Sequence, residues 1–260
     1  MNLRQVPAST GLSWALQGMR TFWRQPLAMS GLFFVFMATV SLVSVFPLIG
    51  GALALVLLPA LTLGMMAATQ VASEGRFPMP GVLFTALKAG PNRKAMLQLG
   101  VAYAAVFLLL MAVSMLADGG KFARLYLMGG AVTPEVVDNS DFQAALWVSM
   151  LLYMPLSMLF WHAPALVHWH GVPVLKSLFF SWMACWRNLK AFMVYAAFWT
   201  GAFLAAGISA LLASSMLGEP QLMMSILMPL ALLVVAMFFT SVLYSVRDCF
   251  TALPHPVEPA

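Results

Sequence analysis

The sequence predicts an all-α, polytopic membrane helix bundle with six transmembrane helices. The 260-residue chain is 62% hydrophobic and only 8% charged, whereas a soluble domain carries about 25% charged residues. Six segments are long and apolar, and about 20 apolar residues in a helix cross the ~30 Å hydrocarbon core of a bilayer. None of them alternates apolar and polar residues as the strands of a membrane barrel do.

The six predicted spans follow one another along the whole chain and form a single integral membrane domain, residues 1–260. The last three spans are long enough to tilt or to extend beyond the headgroups. The first 25 residues lack the apolar core of a cleavable signal peptide, so we expect the first span to act as an uncleaved insertion signal. The predicted spans are residues 27–46, 51–72, 96–117, 142–167, 191–217 and 222–244, and residues 248–260 form a short cytoplasmic tail.

The distribution of Lys and Arg predicts the orientation of the chain. Eleven of the 13 cations lie before the first span, after the sixth, or in the second and fourth connections, and only Lys121 and Arg124 lie elsewhere. By the positive-inside rule both termini are then cytoplasmic. The net charge of +5 forms a cytoplasmic collar that faces anionic lipid headgroups. A nucleic-acid partner is not expected, because no soluble domain carries a basic patch.

A unit of one amphipathic helix, one basic turn and a hairpin of two spans occurs three times, approximately at residues 10–72, 80–169 and 173–247. The second span of each hairpin contains a proline, namely Pro59, Pro155 or Pro229. Each removes a backbone hydrogen bond, so three kinks at a similar depth are expected. Repeats with two spans each are parallel, unlike the inverted repeats of many transporters.

The amphipathic segments 10–24, 81–89 and 174–187 are predicted to lie in the membrane interface. In the first segment Leu12, Leu16, Met19 and Trp23 share one face, and Ser13, Gln17, Arg20 and Arg24 share the other. The spacing of three and four residues is typical of an interfacial helix. We expect its aromatic residues to lie at headgroup depth: Trp14, Phe22 and Trp23.

Small residues recur every four positions in two spans. We expect these stripes to form internal helix contacts, because small side chains let helix backbones approach closely in lipid. A face that binds a second copy of the chain is the alternative. The stripes are Ala60, Gly64, Ala68 and Ala72, and Ala197, Gly201, Ala205 and Ser209.

The polar residues at membrane depth are mostly Ser and Thr, which can bond to their own helix backbone. A serine nucleophile with its activating base is not visible among them. Phosphate-binding loops, zinc spacings and paired carboxylates do not occur in the sequence. We therefore expect no enzyme activity and no cofactor, and we expect Cys185 and Cys249 to be free thiols near the cytoplasmic side.

His162, His168 and His170 form the one cluster of metal-ligand type, and 21 methionines accompany them. Imidazole and thioether groups bind copper. However, residues six or two positions apart point to different sides of a helix, and methionine also fills apolar cores without a metal. Interfacial histidines beside an aromatic belt are the preferred interpretation.

Several sequence segments together resemble those of one bacterial protein family. They are Trp23-Arg24-Gln25-Pro26-Leu27-Ala28, residues 163–167, the segment from Phe180 through Cys185-Trp186-Arg187-Asn188 to Tyr195, and Tyr244 to Phe250. The chain resembles an uncharacterised family of six-helix bacterial inner-membrane proteins from betaproteobacteria, over nearly its whole length. This resemblance implies the fold and the compartment but no activity. The architecture is also loosely similar to the membrane part of some glycerophosphodiester phosphodiesterases.

The functional hypothesis is a non-enzymatic inner-membrane protein that organises lipid or partner proteins, and a second copy is a candidate partner. The alternative is a transporter or channel for a neutral or lipid-like substrate, with a cavity near the prolines. The candidate contacts with headgroups or an interface are Arg24, Arg93 and Arg187, with Asp248 as a salt-bridge partner for one of them. Arginines that only anchor and orient the chain are the simpler alternative.

Overall fold

The computed structural model describes residues 2–128, 133–219 and 222–250. These residues are almost entirely helical, and extended pairing among them is limited to one antiparallel bridge between Leu3 and Phe250. The helices are α1 (Ser9–Arg24), α2 (Pro26–Ser44), α3 (Gly50–Ser73), α4 (Arg93–Asp118), α5 (Lys121–Met128), α6 (Pro134–Val137), α7 (Ser140–Phe160), α8 (Ala163–His170), α9 (Val174–Arg187), α10 (Leu189–Met216) and α11 (Leu222–Cys249), with a 3-10 helix at Pro80–Leu87.

Six helical segments of the described chain are long and apolar enough to cross a membrane, which confirms the predicted class. They are α2, α3, α4, the combined α7 and α8, α10 and α11. Apolar composition and length determine these positions, so the observed ends lie within five residues of the predicted ones. α11 continues to Cys249, and the short cytoplasmic tail from residue 248 stays a prediction. Residues 251–260 lie outside the described residues.

The fourth span is interrupted, which the sequence analysis did not predict. α7 ends at Phe160 and α8 starts at Ala163, with Pro164 in its first turn. A proline fits there because the first N–H groups of a helix lack an intrahelical acceptor. The hydroxyl of Ser181 bridges the break: it accepts the backbone N–H of His162 at 2.9 Å and donates to the Met158 carbonyl at 2.7 Å. Backbone groups freed inside a membrane need such partners.

Contacts divide the chain into two compact units. The first comprises Met1–Ala38, Leu61–Lys88 and Met183–Ala260. In this unit α1 packs against both α10 and α11, which also pack against each other. Aromatic rings fill the space between the three helices, with Trp14 5.1 Å from Phe192 and 6.0 Å from Tyr195 between ring centres.

The second unit comprises Thr39–Ala60 and Ala89–Trp182. Here α4 packs against α5, α7 and α8. The rings of Tyr103 and Phe160 meet edge to face at 5.1 Å, and those of Phe122 and Phe142 join α5 to α7 at 5.7 Å. Edge-to-face pairs of this kind stabilise apolar packing beyond the area that they bury.

The predicted threefold repeat stays a prediction, because these two units do not follow the boundaries of the three repeats. The first and third amphipathic segments form α1 and α9, and the second forms the 3-10 helix. Pro59, Pro155 and Pro229 lie inside α3, α7 and α11. The kinks expected at these prolines also stay predictions.

The two small-residue stripes have opposite environments. In α3, Gly64, Ala68 and Ala72 are buried, and a Cβ added to Gly64 would lie 2.0 Å from the Leu83 carbonyl oxygen of the 3-10 helix. In α10, Ala197, Gly201, Ala205 and Ser209 are all exposed. The predicted internal contact is therefore wrong for the second stripe. The reason is that α10 is buried along a different face: Ala191, Tyr195, Trp199, Ala206 and Ala210.

Candidate functional site

The amphipathic helix α1 is attached to the first unit along a face of small and aromatic residues. A Cβ on Gly11 would lie 1.9 Å from the carbonyl oxygen of Ala191, and one on Gly18 would lie 2.3 Å from the Cβ of Ser241. Trp14 and Phe22 are fully buried beside these glycines. Trp14 and Phe22 therefore contact protein, and their predicted position at headgroup depth stays a prediction. Close backbone approach makes this face a protein contact.

The opposite side of α1 stays on the surface and is apolar. Leu12, Leu16 and Trp23 are 40%, 38% and 59% exposed, and Arg20 and Arg24 are exposed next to them. The predicted apolar stripe thus exists, but it points away from the protein. Apolar side chains beside cations on one exposed helix surface are what an interfacial membrane helix requires.

Helix α9 has the same character. Leu175, Phe179 and Trp186 are exposed large apolar residues, and the cations Lys176 and Arg187 are exposed on the same helix. We name α1 and α9 the surface helices. Lysine and arginine stems cover apolar surface while their charges remain in water or at headgroups.

Asp248 does not have the partner that was predicted. Its Oδ2 accepts a hydrogen bond of 2.8 Å from the Trp14 indole N–H, and the ion pair found in the described part of the chain joins Arg76 to Glu74 instead. The predicted salt bridge to Arg24, Arg93 or Arg187 is therefore wrong. The physical reason is that α1 packs on α11 and brings an indole donor to the carboxylate.

Arg24 and Gln25 connect the end of α1 to the turn after α3. Arg24 Nη1 donates to the Ser73 carbonyl oxygen at 3.3 Å, and Gln25 Nε2 donates to the Arg76 carbonyl oxygen at 2.9 Å. Both side chains lie at the surface. Arg24 therefore holds two cation-rich segments together and still presents part of its charge outward.

Arg187 ends α9 and Arg93 begins α4, and both side chains are exposed. Arg24, Arg187 and Asp248 belong to the first unit and Arg93 belongs to the second. A cation in the last turn of a helix interacts favourably with the helix dipole, which suits Arg24 and Arg187 but not Arg93.

Asn188 is a residue whose role the sequence analysis missed. Its buried side chain accepts the Val6 backbone N–H at 2.8 Å and donates to the carbonyls of Arg4 and Ala184 at 3.0 and 2.9 Å. It therefore joins the N-terminal arm, residues 2–7, to the start of α10. The break between α9 and α10 falls at Asn188, the last residue of a Trp-Arg-Asn string. An Asn between two helices is the sequence signal that could have indicated this role.

The three histidines do not assemble a metal site: within the described ranges, no three His, Cys, Asp or Glu side chains lie close enough to hold an ion. His162 is fully buried at the break between α7 and α8. His168 lies in α8, where its carbonyl accepts a 2.9 Å hydrogen bond from Asn92. His162 is thus a buried residue of the second unit, and the backbone of His168 helps to hold α8 there.

Several hydroxyl groups in the spans bond to their own helices, as expected. Ser114, Ser157 and Thr240 each donate to a carbonyl three or four residues earlier, at 2.7 to 2.8 Å. Cys185 and Cys249 are free and buried, which agrees with the prediction. Tyr195 is buried and bonds to Ser241 of α11, so it is a core residue.

A cleft of about 460 Å³ lies in the second unit, between α5, α6 and the start of α7. Lys121, Arg124 and Glu135 line it together with Leu125, Val136 and Phe142. Its walls are fixed at two turns. Asp118 accepts the backbone N–H groups of Gly120 and Phe122, at 2.8 and 2.6 Å, and the Asn139 side chain caps α7. The sequence analysis did not predict this cleft.

Six membrane-length helices and two exposed amphipathic helices define a multi-pass integral membrane protein. The chain is 38% identical to a probable inner membrane protein of Burkholderia thailandensis. The alignment spans 256 residues and covers 96% of this chain and 94% of that protein. It belongs to the same family and is a multi-pass inner-membrane protein, as the resemblance implied. No family model matches the chain, and no solved structure matches it.

Proposed function

We propose that this protein is a non-enzymatic organiser of lipid at the cytoplasmic surface of the inner membrane, with both termini in the cytoplasm. The single observation that carries the proposal is the two-sided character of α1. One side is fixed to α10 and α11 through Gly11, Trp14 and Gly18, while the other exposes apolar residues beside Arg20 and Arg24. A helix held in this way forms a fixed platform for lipid.

The charge of the surface helices supports anionic lipid as the bound class. α9 presents Lys176 and Arg187, and α10, which starts two residues after α9 ends, adds Lys190 in its first turn. Each cation near an anionic membrane surface contributes about 1 kcal/mol to binding. The proposed orientation places these groups at the cytoplasmic leaflet, in agreement with the positive-inside rule.

The alternative function, transport of a neutral or lipid-like substrate, requires a polar cavity at the depth of the prolines. The cleft described above touches α7 at Phe142, about 20 Å along the helix from Pro155. It does not meet that requirement. Lipid organisation is therefore the function that we prefer.

The proposal is tested with a variant in which Arg24, Arg93 and Arg187 are all replaced by alanine. We expect normal membrane insertion and roughly 100-fold weaker binding of phosphatidylglycerol, measured by native mass spectrometry of the full-length protein in detergent. Arg76→Ala is the control, because Arg76 is already paired with Glu74 at 2.5 Å. Loss of insertion would assign the arginines to anchoring alone, and unchanged lipid binding would refute the proposal.

A further inference from the structure

The two cations that depart from the charge pattern of this protein face the same cleft. Lys121 and Arg124 are the only Lys and Arg outside the eleven that follow the positive-inside rule, and both line the cleft between α5, α6 and α7. Positive charge on the side of a bacterial membrane opposite the termini is generally disfavoured. Two such residues in one cleft therefore indicate a binding role.

The cleft contains charges of both signs. Glu135 lines it from α6, opposite the two cations of α5. Among the residues that the structure describes, no ion pair joins Glu135 to Lys121 or Arg124. All three side chains are exposed, so they are available to a ligand. This arrangement is complementary to a zwitterion with one negative and one positive group.

The remaining wall of the cleft is apolar. Leu125, Val136 and Phe142 contribute it from three different helices. Phe142 is itself fixed by its ring contact with Phe122. A volume of about 460 Å³ is within the range of small-molecule sites. The cleft thus offers a polar part for a headgroup and an apolar part for the beginning of an acyl chain.

We propose that this cleft binds the headgroup of a zwitterionic phospholipid with a primary amine, of the phosphatidylethanolamine class. The phosphate lies between Lys121 and Arg124, since guanidinium and ammonium groups form strong charge-assisted hydrogen bonds with phosphate oxygens. The amine faces Glu135, and the glycerol and upper acyl chain lie against Leu125 and Phe142. This site is independent of the surface helices, because it uses none of their residues.

The test measures phosphatidylethanolamine bound to the full-length protein in detergent by native mass spectrometry at low lipid-to-protein ratio. Lys121→Ala/Arg124→Ala should bind this lipid about tenfold more weakly or worse. Lys88→Ala/Lys94→Ala removes the same charge from exposed residues outside the cleft and should bind it as the wild type does. If the alanine variant does not elute as a folded protein, Lys121→Gln/Arg124→Gln replaces it.

Two further comparisons decide the ligand class. Glu135→Gln should weaken binding of phosphatidylethanolamine without weakening phosphatidylglycerol, because only the former has an amine to pair with Glu135. Glycerophosphoethanolamine, which has no acyl chains, should compete only at much higher concentration.

Three results would overturn the proposal. The first is equal binding of phosphatidylethanolamine by wild type and the Lys121/Arg124 variant. The second is a wild-type preference for phosphatidylglycerol, which would exclude the zwitterion. The third is equally strong binding of the chain-free headgroup, which would exclude a lipid. The failure of either proposal leaves the other standing, since the triple arginine variant and the cleft variants share no residue.

Discussion

The Trp14 indole and the Asp248 carboxylate are 234 positions apart in the sequence and 2.8 Å apart in the structure. A hydrogen bond to a charged acceptor stabilises a fold more than one between neutral groups. The indole ring also packs against Phe192 and Tyr195. One side chain therefore links α1 to both α10 and α11.

This link is tested by a double-mutant cycle of Trp14→Phe and Asp248→Ala. Each single change should lower the free energy of unfolding by about 1–3 kcal/mol. The double variant should lose less than the sum of the two, because the second change has no hydrogen bond left to remove. Thermal unfolding of the protein in detergent provides the measurement. Strictly additive losses would show that the two residues stabilise the fold separately.

Cys185 allows a prediction about pH. Burial raises the pKa of the Cys185 thiol above its ordinary value, and the nearby Cys249 raises this pKa further. Since the thiolate is the nucleophile, maleimide should label Cys185 slowly at pH 8 in the folded Cys249→Ser variant and rapidly after unfolding in SDS. A raised pKa also means that the stability contributed by the neutral thiol is lost as the pH rises above its ordinary pKa. Rapid labelling of the native protein at pH 8 would contradict this assignment.

At the scale of elements, α1 combines two apolar faces with different tasks. The face of Gly11, Gly18 and Trp14 contacts protein, and the face of Leu12, Leu16 and Trp23 is exposed. A helical wheel drawn from the sequence finds the second face because it is apolar and regular. The wheel does not find the packing face, because glycine carries little hydrophobic signal. The importance of Gly18 depends on its close contact with Ser241 of α11, which lies more than 200 positions away in the sequence.

Gly18→Ala tests the packing face of α1. The new methyl group would lie 2.3 Å from the Cβ of Ser241 and 2.5 Å from its Cα, so α1 must move away from α11. We expect a loss of about 1–3 kcal/mol in the free energy of unfolding, measured by thermal unfolding in detergent.

Gly201→Ala is the matched control for this change. It lies inside α10, and an added Cβ has no neighbour within 4 Å. Alanine is favoured over glycine inside helices by about 0.5–1 kcal/mol, so this variant should be as stable as the wild type or more stable. Equal behaviour of the two variants would mean that α1 does not pack closely on α11.

The sequence predicts the six spanning helices correctly, but it does not predict which helices and side chains they contact. Hydropathy identifies all six spans because the length of a spanning helix is set by the bilayer. The break at Trp161 and His162 was missed, because the hydroxyl of Ser181 that satisfies the freed backbone lies 19 positions after His162. The small-residue stripe of α10 was assigned to an internal contact but is exposed. Small residues allow another helix to approach closely but do not identify that helix.

The predicted headgroup contacts of the candidate site stay predictions, and the structure shows only the exposure of the arginines. The exposed arginines at 24, 93 and 187 follow from their positions at helix ends. The partner of Asp248 and the bonds of Asn188 did not follow, because both depend on how α1 and the N-terminal arm dock onto distant helices. The cleft beside α5 was missed because the sequence does not show how α5, α6 and the start of α7 pack around it.

At the scale of the whole molecule, charge and span number together determine topology. Six spans return the chain to the side on which it started. Lys and Arg then select which side that is, with eleven cations against two. The proposed function assumes this predicted orientation, because it assigns the surface helices to the cytoplasmic leaflet.

Reporter fusions test the orientation directly. Fusions of alkaline phosphatase at Glu135 should be active, because that position is predicted to lie outside the cytoplasm. Fusions of a fluorescent protein at Lys88 and after the last residue should be bright for the opposite reason. The reversed pattern would exclude the proposed topology and, with it, the assignment of the surface helices to the cytoplasmic leaflet.

The docking of α1 between α10 and α11 also constrains how this protein is made. Synthesis on a ribosome proceeds from α1 towards α11, so the groove that receives Gly11 and Gly18 does not exist until the final helix has been inserted. During that interval α1 lacks its contacts with α11, and its amphipathic character allows it to lie on the membrane surface. Close packing of α1 therefore waits for α11, and we expect maturation of the first unit to be completed only after α11 has been synthesised.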